Sequence, residues 1–309
     1  MLRRVICSIT CLLAFQTALA PSAASAKTAE PVPVVVTISV LKDLVEQVGG
    51  PHVRVTSLLS GLENEHSYSP KPSDLVAVRK ARLLVEVGLG LEVWVTALIK
   101  SAGNADLLVA TTSTGIVPLR DDESEPAAGG HGTDDPHHAG NPHVWLDPDN
   151  AKVMVGHIAE ALSRVDPAHA ADYRANRAAY LRRVDEVTAD LLGRVNALPS
   201  RRIVVHHPAW PYFARRFGFE IVGQVQGQSG AEPSARHLQR LIDRMRHEQV
   251  RVIVAEPQMN QKLPAMLARE TGARVVVLTP LPGAVAGTAT YLDMLRYNVA
   301  QLTQALGTP

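Results

Sequence analysis

Three histidines of this chain lie in segments that prolines stiffen. Two prolines follow His66 within six residues, Pro142 directly precedes His143, and another proline directly follows His207. Neutral imidazole is a common ligand for zinc and other transition metals. Separations of 77 and 64 residues do not by themselves indicate a metal site, because structural zinc modules usually carry their ligands in close local pairs. Each histidine alone would be interpreted as a surface or capping residue, whereas the three together predict one metal site.

The first 26 residues have the layout of a secretory signal peptide. Arg3 and Arg4 form a basic start, residues 5–20 are mostly apolar, and small residues follow as far as Ala26. Cleavage after Ala20 or after Ala26 fits this layout, and we favour Ala26. A transmembrane anchor is the alternative, but the apolar run is short for one. We therefore expect export, cleavage and a periplasmic protein.

Composition limits the ligands and partners of the exported chain. Its two cysteines, Cys7 and Cys11, lie in this leader and lack the context of lipid attachment. The mature chain would therefore hold a metal with His, Asp, Glu or backbone oxygen. The whole sequence has a net charge of +1 and 4% aromatic residues, which is poor material for phosphate tracking or base stacking. We expect no nucleic-acid partner.

Alternating strand and helix patterns predict an α/β fold with parallel sheets and helices on both sheet faces. Ser39 is a candidate N-cap for a first helix that ends at Gly49-Gly50. The three histidines lie at or near strand–helix junctions, and folds of this type bind ligands beyond the carboxyl ends of their strands. Strands are predicted at residues 33–38, 53–59, 83–87, 107–109, 203–205, 219–225, 250–255 and 275–278. Further helices are predicted at residues 73–80, around 94–98, and at 149–164, 209–217, 234–248, 260–271 and 289–306.

The longest periodic stretch runs from residue 167 to residue 198, with apolar residues and tyrosines at helical spacing. A helix of that length spans roughly 45 Å, more than one small lobe needs. We interpret it as a rigid connection between two lobes, with two helices joined at a kink as the alternative. The predicted organisation is a signal peptide at 1–26, an N-terminal α/β lobe at 27–165, a linking helix at 166–198 and a C-terminal α/β lobe at 199–309.

Residues 120–140 interrupt the α/β pattern with a polar, Gly/Pro-containing loop that has too little apolar surface to fold alone. His131, His137 and His138 lie in it, beside two aspartates. One hypothesis is that this loop captures zinc weakly and passes it to the main site. The alternative is a solvated insertion without a role.

Several segments resemble the periplasmic zinc- and manganese-binding proteins that feed ABC importers. Residues 61–74 look like the first metal-ligand motif of that family, and 141–148 closely resemble the second. Residues 207–213 resemble the third, with a proline where an aspartate is common, and 255–258 and 291–294 also resemble family segments. The resemblance implies two α/β lobes joined by a long helix, with metal in the cleft between them. It also implies an inner-membrane ABC permease as partner and transport rather than catalysis; we expect a monomer.

Carried over by motif, the metal ligands would be His66 and His143 from the first lobe and His207 from the second. His206 would face the other side of its strand. Many relatives add a carboxylate just after the last core strand, where this chain has Thr279. The fourth ligand is therefore open: water is the simplest candidate, and Glu65 and Glu256 are alternatives.

The ligand set bears on the choice of metal. Imidazoles suit zinc, while manganese favours oxygen-rich sites, so three histidines and no aspartate point to Zn²⁺. A manganese- or iron-binding relative of the same family is the main alternative. A zinc hydrolase is a more distant one, since three histidines with an open water position also occur in hydrolytic sites. The sequence contains no phosphate-binding glycine loop, and we interpret Trp94, Trp145 and Trp210 as core or cleft-wall packing.

Overall fold

A computed structural model describes residues 30–120, 140–226 and 232–307. Within these ranges, eight strands form two four-stranded sheets in which all pairs are parallel. The first sheet has the order β2-β1-β3-β4 and the second has the order β6-β5-β7-β8, so the two halves repeat one topology. The predicted α/β class is confirmed. The strands are β1 Val32–Val36, β2 Val53–Ser57, β3 Leu83–Glu86, β4 Leu108–Thr111, β5 Arg202–Val205, β6 Glu220–Gln224, β7 Val252–Ala255 and β8 Arg274–Val277.

The central strands are apolar along their length because helices cover both faces of each sheet. All four residues of β7 are fully buried, and β3 carries three buried residues in succession. In both sheets the strands are parallel, but the direction in which successive strands are added reverses between the two central strands, β1 and β3 or β5 and β7. Such a reversal opens a crevice at the carboxyl ends of the strands, where α/β folds bind ligands.

Nine α-helices connect and cover these strands in the described ranges. Most begin and end within a few residues of their predicted bounds. Ser234, at the predicted start of the 234–248 helix, caps α7 by accepting the His237 N–H. The 209–217 helix begins later, at Pro211, because proline favours the first helical position. The helices are α1 Ser39–Gly49, α2 Pro72–Lys80, α3 Val95–Ala102, α4 Pro148–Val165, α5 Ala170–Asn196, α6 Pro211–Phe217, α7 Ala235–His247, α8 Lys262–Thr271 and α9 Tyr291–Leu306.

The N-cap assignment of Ser39 was wrong. Helix α1 begins at Ser39 itself, and the preceding Ile38 caps it without a side-chain hydrogen bond. The Ser39 hydroxyl instead donates to the carbonyl oxygen of Pro282 at 2.8 Å. The Ser39 hydroxyl therefore bonds a residue 243 positions away instead of the main chain at the start of its own helix.

Helix α5 is the long helix that the sequence predicts. It is a single α-helix of 27 residues, preceded by a short 3₁₀ turn at Pro167–His169, and it spans about 40 Å. One stripe of α5 is buried, and the helix packs against α1 and α4 from the first half and α9 from the second. The two-helix alternative is excluded. The buried stripe consists of Tyr173, Tyr180, Val184, Val187, Leu191 and Val195.

The larger of two hydrophobic clusters runs through both halves. It includes strands of both sheets, α5 and α9, while a second cluster lies between the second sheet and helices α7 and α8. The proposed domain limits at 165/166 and 198/199 remain predictions. No helix in the described ranges is long and apolar enough to cross a membrane.

Candidate metal centre

His66 lies in the loop between β2 and α2. Asn64 Oδ1 accepts the main-chain N–H groups of His66 at 2.9 Å and Ser67 at 3.2 Å, a side-chain turn that asparagine commonly forms. The Trp94 indole N–H donates to the Glu65 carbonyl oxygen at 2.9 Å. These bonds fix the main chain on both sides of His66, whose side chain is half-buried.

His143 lies where the chain enters a 3₁₀ turn at Val144–Leu146, just before α4. Only 2% of its surface is exposed. The Asn141 side-chain oxygen contacts both the main-chain nitrogen of His143, at 3.1 Å, and its Nδ1, at 2.9 Å. One amide therefore holds the main chain and the ring of this histidine.

His207 lies two residues beyond the end of β5, at the crevice of the second sheet. It is 6% exposed, and its Nδ1 lies 3.6 Å from Glu256 Oε1. Glu256 directly follows β7 and is fully buried. Its two oxygens accept the Trp210 indole N–H at 2.9 Å and the Gln258 amide at 2.8 Å.

The structure brings the three predicted histidines together. Their ring centroids lie 5.1 to 5.6 Å apart, and one nitrogen from each lies within 4.8 Å of the others. The Nε2 atoms of His66 and His143 are 3.3 Å apart. In a tetrahedral site with Zn–N bonds of about 2.0–2.1 Å, neighbouring nitrogens lie about 3.3–3.4 Å apart. The spacing of this pair therefore suits two ligands of one zinc ion.

Burial keeps two of these imidazoles neutral. Desolvation, with a smaller contribution from the neighbouring His143, lowers the pKa of His66 to about 4. Desolvation also lowers the pKa of His143 well below its usual value, with His207 adding to the effect. Desolvation opposes the protonation of His207 too, but the negative charge of the nearby Glu256 outweighs it and raises that pKa. Neutral imidazole is the form that binds a metal.

The two candidate carboxylates differ in their surroundings. Glu65 is 2% exposed, and its Oε1 lies 3.7 Å from His143 Nε2. That oxygen has no hydrogen-bond partner among the described residues. A buried carboxylate oxygen without a partner is costly unless a cation or donor satisfies it. Both oxygens of Glu256 already accept hydrogen bonds, so Glu65 is the carboxylate better suited to hold a cation.

The sequence also singled out Thr279 and His206, whose surroundings differ from those of the three histidines. Thr279 is fully buried, and its hydroxyl bonds within its own turn, to the carbonyl oxygen of Leu281 at 2.6 Å. His206 is 1% exposed, and neither of its ring nitrogens has a hydrogen-bond partner among the described residues. Desolvation lowers its pKa. The histidines of the 120–140 loop lie outside the described residues.

The tryptophans at positions 94, 145 and 210 are buried packing residues that also hold the walls of the site. Each indole N–H donates to a site loop: Trp94 to the Glu65 carbonyl, Trp210 to the Glu256 carboxylate and Trp145 to the Pro280 carbonyl. The Trp145 ring also contacts the His143 ring, with centroids 5.3 Å apart. The sequence predicted the packing of the tryptophans but not these hydrogen bonds. It also did not predict the contacts of Asn141 with His143, although the two residues lie in the same segment.

Comparisons with known proteins agree with this arrangement. The sequence pattern of the family described as ZnuA, "Zinc-uptake complex component A periplasmic", matches residues 34–305. The high-affinity zinc uptake system protein ZnuA of Brucella abortus is 29% identical over 273 residues, which cover 79% of this chain and 80% of that protein. The manganese-binding lipoprotein MntA of Halalkalibacterium halodurans is 28% identical over 278 residues, which cover 88% of each. These two relatives are named for different metals.

Solved structures show the same architecture. A crystal structure of ZnuA matches with a TM-score of 0.78 at 30% sequence identity, and the match covers 89% of this chain and 99% of that one. The similarity therefore spans both sheets and the long helix rather than one half alone.

Proposed function

We propose a zinc-capture role for this chain, which belongs to the ZnuA family of periplasmic zinc-uptake components. In this proposal His66, His143 and His207 bind one Zn²⁺ between the two halves of the protein. The observation that carries it is the convergence of three imidazole nitrogens within 4.8 Å, two of them 3.3 Å apart. Two of the three imidazoles are held neutral by burial, so they do not have to lose a proton on binding.

Glu65 is our candidate for the fourth ligand, in place of the water that the sequence favoured. Its Oε1 is buried, lacks a hydrogen-bond partner among the described residues and lies 3.7 Å from His143 Nε2. Three imidazoles and one carboxylate make a four-ligand set typical of zinc, which is usually tetrahedral. Manganese prefers more oxygen ligands, and the position where many relatives carry aspartate is Thr279 here. The ligand types therefore favour zinc over manganese or iron.

The test is zinc stoichiometry and affinity, measured by chelator competition. We expect about one tight zinc per chain, lost in His143→Ala and unaffected by excess Mn²⁺. His157→Ala is the matched control, because His157 lies on α4 and its ring contacts the main-chain oxygen of Thr114. Unchanged tight binding in His143→Ala would remove the proposed site. Equal affinities for zinc and manganese would keep the site but refute the preference.

We further propose that the protein acts in the periplasm as a monomer and delivers zinc to the permease of an ABC importer. The support is membership of a family whose members work with such importers. Cells lacking this protein should grow poorly in chelator-treated medium, and zinc should restore growth. The wild-type gene should complement the defect and His143→Ala should not. Equal growth with and without the gene in that medium would contradict the assignment.

A further inference from the structure

Asn141 lies between the loops that carry two of the proposed zinc ligands. It is 1% exposed, although asparagine is rarely fully buried. Its Oδ1 contacts the main-chain N and ring Nδ1 of His143, and its Nδ2 donates to the carbonyl oxygen of Pro208 at 2.6 Å. Pro208 directly follows His207 in sequence. One side chain therefore touches His143 and the loop of His207.

The orientation of the Asn141 amide follows from two groups whose roles cannot change. The Pro208 carbonyl oxygen only accepts hydrogen bonds, so it requires the amide nitrogen. The His143 main-chain N–H only donates, so it requires the amide oxygen. If the amide were flipped, the Pro208 carbonyl oxygen would face the amide oxygen and the His143 N–H would face the amide NH₂. Neither group could then form its hydrogen bond inside the protein. The oxygen position is thus set without reference to the imidazole ring.

This fixed oxygen decides which nitrogen of His143 carries the proton. His143 Nδ1 lies 2.9 Å from Oδ1, an atom that can only accept, so Nδ1 must be the protonated nitrogen. The lone pair of the neutral ring then lies on Nε2, the atom that faces His66 Nε2. Nε2 is therefore ready to bind a cation before any cation arrives. A hydrogen bond on the other ring nitrogen sets the metal-binding tautomer in many metal sites.

The same residue joins the two halves of the protein around the site. Besides the bond to Pro208, the Asn141 carbonyl oxygen accepts the hydroxyl of Tyr212 at 2.7 Å. Tyr212 lies on α6, four residues beyond Pro208. The side chain and the main chain of Asn141 are both tied to the segment that begins at His207. The position of His143 relative to that segment therefore depends on Asn141.

We propose that Asn141 is a positioning residue that fixes His143 as its Nδ1–H tautomer and sets its distance from the His207 loop. The inference rests on the proposed function, because it takes the nitrogens of this cluster as metal ligands. A residue that merely stabilised the fold would lower stability when removed but would leave the tautomer of His143 unchanged. The tautomer is therefore the property to measure.

The first measurement is the tautomer of His143 in metal-free protein, by long-range ¹H–¹⁵N correlation of ¹⁵N-histidine-labelled samples at pH 7.5. The His143 signals are identified by their absence in His143→Ala. The wild type should show the Nδ1–H form. Asn141→Ala should show a mixture of tautomers, and Asn141→Asp, which keeps an acceptor at Oδ1, should retain Nδ1–H. Asn104→Ala is the matched control, since the Asn104 amide donates to the main-chain oxygens of Val78 and Ala81 rather than to a loop of the histidine cluster.

The second measurement is zinc affinity of the same variants by chelator competition. Loss of an outer partner of a metal ligand typically weakens binding 10–100-fold, and we expect a loss in that range for Asn141→Ala. Asn141→Asp should bind more tightly than Asn141→Ala although both lose the bond to Pro208. Asn104→Ala should match the wild type.

The outcomes separate this inference from the proposed function. An unchanged Nδ1–H tautomer in Asn141→Ala, or wild-type zinc affinity in that variant, would overturn the role of Asn141. A wild-type protein with the Nδ1–H form but no tight zinc would refute zinc capture while leaving the tautomer assignment intact. If Asn141→Ala fails to fold, a mixture of tautomers in Asn141→Asp would refute the inference.

Discussion

The Oε1 atom of Glu65 and the Nε2 atom of His143 lie 3.7 Å apart inside the protein, each 2% exposed at the side chain. That separation is too long for a hydrogen bond, and Oε1 has no other partner in the described part of the chain. Two ligands of one zinc ion, each about 2.0–2.2 Å from the metal, lie about 3.3–3.6 Å apart in a tetrahedral site. The pair is therefore spaced to share a cation after a shift of a few tenths of an ångström.

This spacing predicts the effect of removing the charge of Glu65. Glu65→Gln should lower zinc affinity by about 10–100-fold, because an amide oxygen is a weaker ligand than a carboxylate. Glu63→Gln, in the same loop, is the matched control: Glu63 accepts from the main chain and hydroxyl of Ser60. Its zinc affinity should equal that of the wild type. If Glu65→Gln also binds zinc as the wild type does, water rather than Glu65 completes the site.

Thr279 offers a test of metal preference. Its hydroxyl is held in a local turn by the main-chain oxygen and nitrogen of Leu281. The family resemblance described in the sequence analysis implies that aspartate at this position would add a carboxylate oxygen to the site. We expect Thr279→Asp to raise Mn²⁺ affinity about tenfold, since oxygen ligands favour manganese. Thr279→Asn, similar in shape but uncharged, should leave the Mn²⁺ affinity unchanged; an equal gain in both variants would contradict the explanation.

Much of the fold was readable from sequence because its signals are local. The apolar runs that became β1, β3 and β7 are buried on both faces, and that burial is what their composition predicted. The 27 residues of α5 follow a helical period over most of their length. Both patterns depend on neighbours in sequence rather than on contacts across the molecule.

The contacts that build the site were not readable in this way, because they join distant parts of the chain. Ser39 bonds to Pro282 instead of capping its own helix, and Asn141 bonds to a carbonyl 67 positions away. Neither residue type nor spacing distinguishes these partners from many others. The motif resemblance located the histidines but did not indicate which of Glu65 and Glu256 had a free oxygen. That difference depends on Trp210 and Gln258, which donate hydrogen bonds to the two carboxylate oxygens of Glu256.

A buried acid away from the histidines predicts how stability depends on pH. Glu92 is 4% exposed and accepts hydrogen bonds from the Thr37 hydroxyl and the main-chain N–H groups of Val87 and Gly88. Desolvation outweighs these bonds and raises the pKa of Glu92 to about 7, from 4.5. The folded protein therefore keeps a proton that the unfolded chain releases between these values. This contribution to stability is complete below pH 4.5 and is lost as pH rises through 7.

The expected size of this contribution is on the order of 3 kcal/mol. Denaturant unfolding of metal-free wild type and Glu92→Gln should give a stability difference that shifts in favour of the wild type as pH falls from 8 to 5. Histidines and other acids contribute equally to both proteins and cancel in the comparison. Glu160→Gln, which changes an exposed carboxylate on α4, should show no such shift. A difference that is constant with pH would show that Glu92 stays ionised in the fold.

The histidine-rich segment at 120–140 lends itself to a deletion experiment. If it captures zinc and passes it to the main site, its removal should leave one tight zinc per chain and slow zinc uptake by the protein at low zinc concentration. The variant compared with the wild type should carry a Gly/Ser linker of equal length in place of the segment, so that loop closure is the same in both proteins. Identical uptake rates in the two proteins would mean that the segment has no capture role. Loss of tight zinc on deletion would instead place ligands in the segment itself.

Motion between the two halves of the protein should be small. Helix α5 packs against helices from both halves, and Asp147, 2% exposed, bonds Arg216 at 2.7 Å and Arg215 at 3.2 Å across them. A shared core and the ion pairs of the buried Asp147 with two partly exposed arginines resist hinge bending, so zinc should order local loops rather than close the protein. Small-angle scattering of metal-free and zinc-loaded protein should give the same radius of gyration within error. Asp147→Asn keeps an acceptor for the α4 N-terminus but loses the charge, and should destabilise the protein by about 1–3 kcal/mol. A zinc-dependent contraction of the wild type as large as a domain closure would contradict this rigidity.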